Sequence, residues 1–489
     1  MNPRKNANRH PRWRPWIAGA GAALLSACST LAPPYERPAA PIAPQWPQAA
    51  GAAASGAGRS AVELPWRELY TDAKLRRVIE MALANNRDLR VAALNIEKAR
   101  AQYRIQRSEL VPSVSASGSQ TTQRTPASLS GTGSDVVSHS VAIDVGISAY
   151  ELDLFGRLRS LKDEALQSYL ATEETRRATH VSLIAEVAGA YLSLAADTDL
   201  QALARQTVKS RQASYELEVE RLNARRDSRL EVRQAEGELE DARAQELSAD
   251  QQVAADRNAL ELLVAAPLPA ALLPESGRLT SLLADRDIPP GLPSDLLRNR
   301  PDIRSAEHTL IGANANIGAA RAAFFPSISL TATFGRASTE LSGLFGGSTW
   351  LFSPQISLPI FSGGRLEAQL DAARVQREID VARYEQSIQT AFREVADVLA
   401  QRAVVDGRLA AQRKRVEASG EALSLVQLRH ANGVSSWLNV LDAQRTDLSA
   451  RRSLIQAELS QQTSLITLYK VLGGGWSAAD VSAQALARP

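Results

Sequence analysis

Along residues 327–335 apolar and polar side chains alternate. Ile328, Leu330, Ala332 and Phe334 fall on one side, and Ser327, Ser329, Thr331 and Thr333 on the other. A period of two predicts a strand with one greasy and one polar face. A similar segment spans 113–123, and another spans 137–150, with Val141, Ile143, Val145, Ile147 and Ala149 on one face. A fourth is expected at 351–361. Between the members of each pair lie segments rich in Ser, Gly and Thr, "RTPASLSGTGSDV" and "RASTELSGLFGGST", which read as loops. Pro112 and Pro326 precede the first strand of each pair, where a helix is expected to stop; Gly156 and Gly364 follow the second.

The rest of the pattern is helical. One helix is expected over 71–110 and a much longer one over 157–221, which at 1.5 Å per residue would span about 97 Å. Ile184, Ala188, Tyr191 and Ala195 are spaced 4, 3, 4, and so are Ile388, Phe392, Val395 and Leu399. That spacing marks a coiled-coil seam.

The chain also repeats itself. Residues 88–115 align without gaps on 302–329, an offset of 214, with nine identities that include Asp88/Asp302, Arg107/Arg321 and Pro112/Pro326. Further on the offset is 208, pairing Gly156-Arg157-Leu158 with Gly364-Arg365-Leu366 and Glu186-Val187-Ala188 with Glu394-Val395-Ala396. Two copies of one unit are therefore expected. The organisation follows: 1–27 a leader, 28–66 an extended Pro- and Ala-rich tether, 67–265 the first repeat, 266–294 a proline-rich crossing, 295–472 the second repeat, and 473–489 a tail after the helix-stopping glycines.

Charge changes the picture only at the N-terminus. The formal net charge is +3, but residues 1–27 hold five basic and no acidic residues; without them 51 basic face 53 acidic, so the basic balance is no argument for nucleic acid. The leader combines that basic stretch with the apolar run Trp16–Leu25, as a secretory signal does. Leu25-Ser26-Ala27-Cys28 resembles the bacterial lipobox, which makes Cys28, the only cysteine, the expected lipidation site and mature N-terminus; Ser29 after it favours the outer membrane. Downstream no uninterrupted apolar run of about 18 residues predicts a transmembrane helix.

Strands of this length suit a tilted membrane crossing of about 9–11 residues. Four strands are too few to close a barrel, and an open edge in lipid leaves backbone groups unsatisfied, so several chains must pool their strands. The Ser/Thr/Asp144 face would then line water and the Ile/Val/Leu face would meet lipid. Phe324, Phe325, Tyr150, Trp350, Phe352 and Phe361 are candidates for an interfacial aromatic belt.

"YELDLFGRLRSLKDEAL" (150–166), "LLRNRPDIRSAEHTLIGANANIGAARAAFFPSISLT" (296–331), "PIFSGGRLEAQLDAA" (359–373) and "GVSSWLNVLDAQR" (433–445) resemble the outer-membrane efflux protein family, most of all its lipoprotein branch. The resemblance implies a mainly helical fold with four strands per chain. In it a homotrimer builds a twelve-stranded outer-membrane β-barrel over a periplasmic α-barrel. It implies a passive exit duct of a tripartite efflux system, partnered by a periplasmic adaptor (a membrane fusion protein), an inner-membrane RND pump and outer-membrane lipid. It further implies a gate at the periplasmic helix tips, with Gly433 at the turn, Leu438 the apolar gate position and Asp442 the acidic one. The family's usual tyrosine after Arg429 is here His430, read as a surface histidine, and Asn439 stands where some members carry a second acid. A duct for ABC-driven protein secretion, or a poreless coiled-coil adaptor lipoprotein, are the alternatives. No G-x-S-x-G, Walker A or H-E-x-x-H motif is present, and the five histidines show no ligand spacing. Neither an enzyme nor a cofactor is expected, so energy for transport would come from a partner.

Overall fold

A computed structural model describes residues 30–47, 59–225, 228–284 and 288–476. The helices are α1 (Trp66–Leu69), α2 (Ala73–Asn85), α3 (Arg87–Ser108), α4 (Arg157–Asn223), α5 (Arg229–Val264), α6 (Leu296–Asn299), α7 (Pro301–Ala322), α8 (Arg365–Ala431) and α9 (Trp437–Val471). The strands are β1 (Val114–Thr125), β2 (Val136–Leu152), β3 (Ser327–Ser338) and β4 (Ser348–Ser357). The order helix, strand, strand, long helix, turn, helix occurs twice. Both long helices, α4 and α8, have 67 residues. The chain divides into two compact units: one of 1–39, 96–172 and 306–384, the other of 40–95, 173–305 and 385–489.

The first unit holds the sheet, antiparallel throughout in the order β1-β2-β3-β4, so that one strand from each repeat, β2 and β3, meet at its centre. Residues opposite one another share a face. Ile328↔Ile356, Leu330↔Pro354, Ala332↔Phe352 and Phe334↔Trp350 line the apolar face, which Val145 and Ile147 extend onto β2. Ser329↔Gln355, Thr331↔Ser353 and Ser117↔Asp144 line the polar one, the last pair hydrogen-bonded at 3.0 Å. Beyond Val141, which lies opposite Gln120, the apolar face gives out into Thr122 and His139.

The alternation in β2 does not run to Ala149 as the sequence suggests. Between Ile147 and Tyr150, β2 advances three residues while β3 advances two, from Ala332 to Leu330. Ala149 sits in this bulge with φ +52°, its N–H donating to Thr331 Oγ1 at 3.1 Å. A bulge reverses the parity of every later residue. Tyr150 and Leu152 thereby join the apolar face and Glu151 the polar one, where it pairs with Arg157 through two bonds of 2.8 and 2.5 Å.

The strand limits also shift. The fourth strand is Ser348–Ser357, not 351–361, because its ladder with β3 ends at Ser327↔Ser357, the first residue of β3. The expected helix over 71–110 is two helices broken at Asn86. Asn86 leaves helical geometry at ψ 132°; its side-chain oxygen accepts from the N–H of Leu89 at 2.9 Å and its amide donates to the Leu263 carbonyl at 2.9 Å. A single asparagine thus caps one helix and ties it to the end of α5.

The second unit is helical, and its core uses the predicted seam. Ile184, Ala188, Tyr191 and Ala195 of α4 are buried, as are Ile388, Val395 and Leu399 of α8, joined by Leu75, Ile79, Leu260, Leu468 and Tyr469. Each buried Leu or Ile contributes about 1.5–3 kcal/mol. Phe392, half-buried, stacks on Trp46 with ring centroids 4.9 Å apart. One stretch of α4 is apolar enough by composition to cross a membrane, and 56% of it is buried inside the protein.

Asp197 on α4 is pushed up to about 7, first by burial and then by Asp256 on α5. The folded chain therefore holds a proton there that the unfolded chain loses at ordinary carboxylate pH, so stability falls as pH rises from about 4 to about 7. Asp197→Asn is expected to raise the thermal unfolding temperature at pH 8 and leave it nearly unchanged at pH 4, measured by circular dichroism in detergent; equal shifts at both pH values would exclude the shared proton.

Candidate functional site

Two sets of residues carry the functional expectations. The first marks the junctions between helix and strand. Pro112 and Pro326 stand in the short extended connections that open β1 and β3. Gly156 returns the chain into α4 with φ +74°, and Gly363 and Gly364 return it into α8 with φ +59° and +81°, a region other residues rarely adopt. Asp153 receives the helix start: its carboxylate accepts from the N–H groups of Leu158 (3.2 Å) and Arg159 (2.9 Å) and from Arg159 Nε (3.1 Å). Aromatic side chains gather at the same level. Phe325 stacks on Phe155 with centroids 4.8 Å apart, and Tyr150 donates to the Leu110 carbonyl at 3.0 Å. Phe324 and Phe361 lie beside the junctions and are exposed, Phe361 at 90%. Trp350 faces Phe334 near the far end of the sheet, whereas Phe352 lies opposite Ala332, away from either end.

The second set is the α8–α9 turn. Gly433 has φ +74°; its N–H donates to the His430 carbonyl and that of Val434 to the Arg429 carbonyl, both at 2.9 Å. The helix that follows is oriented by Trp437, which is buried with Val440 and Leu441 against Ala235 of α5, Tyr215 of α4 and Val426. Burying that stripe turns the opposite one outward. Leu438, 62% exposed, and Asp442 therefore share the outer face one turn apart, with Val434 and Asn439 beside them. Gly433, Leu438 and Asp442 thus sit together at one helix tip. Cys28 lies outside the described residues.

His430 is not the surface histidine the sequence suggested; its side chain is 7% exposed. The ring lies 5.5 Å from that of Trp437. Nδ1 donates to the Ser435 carbonyl at 2.9 Å, and Nε2 is hydrogen-bonded to Glu218 Oε1 at 3.2 Å. Glu218 belongs to α4, is fully buried, and has Arg221 3.9 Å from its other oxygen. One side chain therefore closes the turn and ties it to the first repeat. Nothing local could have announced the pairing, since the partners are 212 residues apart. Arg445, ion-paired with Glu238 of α5, adds a second tie between the repeats. Among the described residues no group of three or more His, Cys, Asp or Glu is arranged to hold a metal ion.

An open four-stranded amphipathic sheet built from two repeats, each with its own long helix hairpin, defines a channel protein that contributes part of a barrel. Comparison with known proteins specifies which kind. The profile of the outer membrane efflux proteins matches residues 78–266 and 292–474, and the chain belongs to that family, a family of outer-membrane efflux channels and not of enzymes. It is 48% identical over 460 residues to the probable efflux pump outer membrane protein TtgC of Pseudomonas putida, covering 93% of this chain and 94% of that one. It is 46% identical over 458 residues to the outer membrane protein OprJ of Pseudomonas aeruginosa, with the same coverage. Among solved structures, the open state of the Neisseria gonorrhoeae MtrE outer membrane channel matches with a TM-score of 0.82 and 40% identity, over 91% of this chain and 98% of that one. A membrane protein from Pseudomonas aeruginosa matches with a TM-score of 0.85 and 44% identity, over 91% and 100%.

Replacing His430 by Ala takes away the hydrogen bond into buried Glu218, a change expected to cost about 1–3 kcal/mol. The α8–α9 tip should then exchange amide hydrogens faster than the wild type, with the α2–α3 region unaffected; unchanged exchange at residues 428–440 would show that Trp437 alone holds the turn.

Proposed function

We propose that three copies of this chain pool their strands into one twelve-stranded barrel and that their helices form a periplasmic conduit beneath it. Together they make the passive exit duct of a tripartite efflux system. The observation that carries this reading is the sheet itself. It has two unpaired edges, β1 and β4, and an apolar face bearing Phe334, Trp350 and Phe352. In lipid each unsatisfied backbone group costs several kcal/mol, so the edges must meet, and in a ring of copies β4 of one chain would pair with β1 of the next. The polar face, with Asp144, Ser117 and Thr331, would line the water-filled lumen.

In this reading Leu438 and Asp442 form the periplasmic gate. Three copies of Asp442 around an axis make an acidic ring that favours cations, and Leu438 makes an apolar constriction. Gly433 supplies the tight turn and Cys28 the lipid anchor. The duct consumes no energy; an inner-membrane RND pump supplies it and a periplasmic adaptor joins the two. Relatives are named as antibiotic and toluene efflux pump outer membrane proteins, which supports small organic compounds as cargo. The resemblance to such efflux-pump proteins favours efflux over ABC-driven protein export.

Purified in detergent, the protein should have three times the chain mass and give single channels of defined conductance in planar bilayers; a monomer without channels would overturn the reading. Asp442→Ala should raise the resting conductance and weaken cation selectivity, and unchanged conductance and selectivity would remove Asp442 from the gate. Cys28→Ser should abolish labelling by a radioactive fatty acid in cells, and persistent labelling would place the acyl chain elsewhere.

A further inference from the structure

Beyond Asp442, α9 is tied to α5 by a ladder of two arginines. Arg445 pairs with Glu238, and seven residues further on Arg452 Nη2 donates to Gln245 Oε1 at 2.6 Å. Both rungs join residues 207 apart in the chain, so they stand about two helical turns from one another on the same pair of faces. Their chemistry differs. The first rung is closed by a carboxylate and the second by a neutral amide, which leaves Arg452 without an opposite charge at its contact.

Arg211 of α4 lines the same cleft, which has a volume of about 500 Å³, and its side chain is only 5% exposed. Its Nη1 meets no hydrogen-bond partner, and its Nη2 lies 3.6 Å from Glu238 Oε2, beyond hydrogen-bond reach. Glu238 is shared: one oxygen pairs with Arg445 and the other faces Arg211. Asp241, the second acid at the cleft, accepts from the Gln245 amide at 2.6 Å. Three guanidinium groups therefore face two carboxylates, and one positive charge is left over. Burial holds Arg211 below the usual arginine range; Arg445 adds to the effect, and Glu238 and Asp241 oppose it. A buried charged donor without a partner is costly, and the open side of the cleft can supply the partner from solution. Ser449, on α9 between the two arginines, accepts from Arg415 of α8 at 3.5 Å and keeps its own hydrogen to donate.

We infer that this cleft is a binding site for a phosphate-type oxyanion, held by Arg211 Nη1 from α4 and by Arg452 and Ser449 from α9. Guanidinium forks match the oxygens of such an anion in spacing and charge. A tetrahedral anion has oxygens that diverge towards both helices, whereas a planar carboxylate has two in one plane. The volume also leaves room for a substituent, so the phosphate is either free or the anionic end of an organic ester. Bound there, it adds a third link between the first repeat and α9, beside the two rungs of the ladder. All three groups come from one chain, so the site stands apart from the reading of the chain as a duct.

The test is isothermal titration calorimetry on the full-length, detergent-purified protein, with inorganic phosphate replacing chloride at constant ionic strength. It should show one saturable site per chain, and the same phosphate should raise the thermal unfolding temperature above that in chloride. Arg452→Gln, at an exposed position, should weaken phosphate binding by about tenfold or more and leave unfolding in chloride unchanged. Arg211→Met should abolish binding and unfold in chloride no earlier than the parent, because the uncompensated charge is gone. Arg243→Gln removes a nearby surface charge that does not line the cleft and should leave binding as it is. Glycerol phosphate separates the two sources: tighter binding than inorganic phosphate assigns an esterified ligand, and weaker binding assigns the free anion. No saturable binding of phosphate by the parent, or binding that Arg452→Gln or Arg211→Met retains at full strength, overturns the site. An equal loss in Arg243→Gln overturns it too, since phosphate would then be following surface charge at large.

Discussion

The hydrogen-bonding demand of the backbone is the constraint on which this architecture turns. A strand in lipid has no water to satisfy its edge, so a sheet that is not closed cannot remain there. Each copy supplies β1 and β4 as edges and buries only β2 and β3 between neighbours. Neither repeat alone supplies more than a hairpin, and an isolated hairpin is marginal even in water. Joining the two repeats through the β2–β3 pairing makes the largest piece one chain can contribute. The rest of the seal lies outside the chain, and this is why closure and oligomerisation are one event in the proposed duct.

Side-chain parity had to be kept while the chain changed from strand to helix. On β2 the apolar face runs Val141, Ile143, Val145, Ile147 and then Tyr150 and Leu152, with the bulge at Ala149 absorbing the extra residue. Without it Glu151 would stand on the apolar face and its ion pair with Arg157 would be out of reach. The bulge and the glycine at 156 are thus one device: the first places the last strand residues, the second turns the chain into α4. In the second repeat no bulge appears in β4, and two glycines, Gly363 and Gly364, make the return instead.

Much of this was legible in the sequence because its signals are local or periodic. The alternation in 327–335, the 4-3-4 spacing around Ile184 and Ile388, and the repeat at offsets of 214 and 208 each express a geometry imposed on every turn or every second residue. What escaped was of a different kind. The break at Asn86 depends on a carbonyl at Leu263, the bulge at Ala149 on the register of a strand some 180 residues away, and the burial of His430 on Glu218. The last two join the two repeats, Asn86 and Leu263 lie 177 residues apart within the first, and no local window contains both partners of any of them. Residues 30–37, expected as part of a tether, run against α7 with Arg37 ion-paired to Glu307; a proline-rich composition predicts an extended chain but not what it lies on.

The two helix tips descend from one repeated unit yet are closed by different means. At the α4–α5 tip the start of the second helix is held by a capping box between Ser228 and Glu231, both within one turn. At the α8–α9 tip the equivalent residue, Ser436, makes no side-chain cap. Its helix start depends instead on Trp437 packed against Ala235 and on His430 reaching Glu218, partners that belong to the first repeat. A local cap persists whether or not the hairpins separate; a cap borrowed from a neighbour is lost when they do. The second tip, where Leu438 and Asp442 face outward, is therefore the one whose order is coupled to the packing of the hairpins. The proposed gate would use that coupling, because an opening force applied to the helices would then loosen the constriction itself.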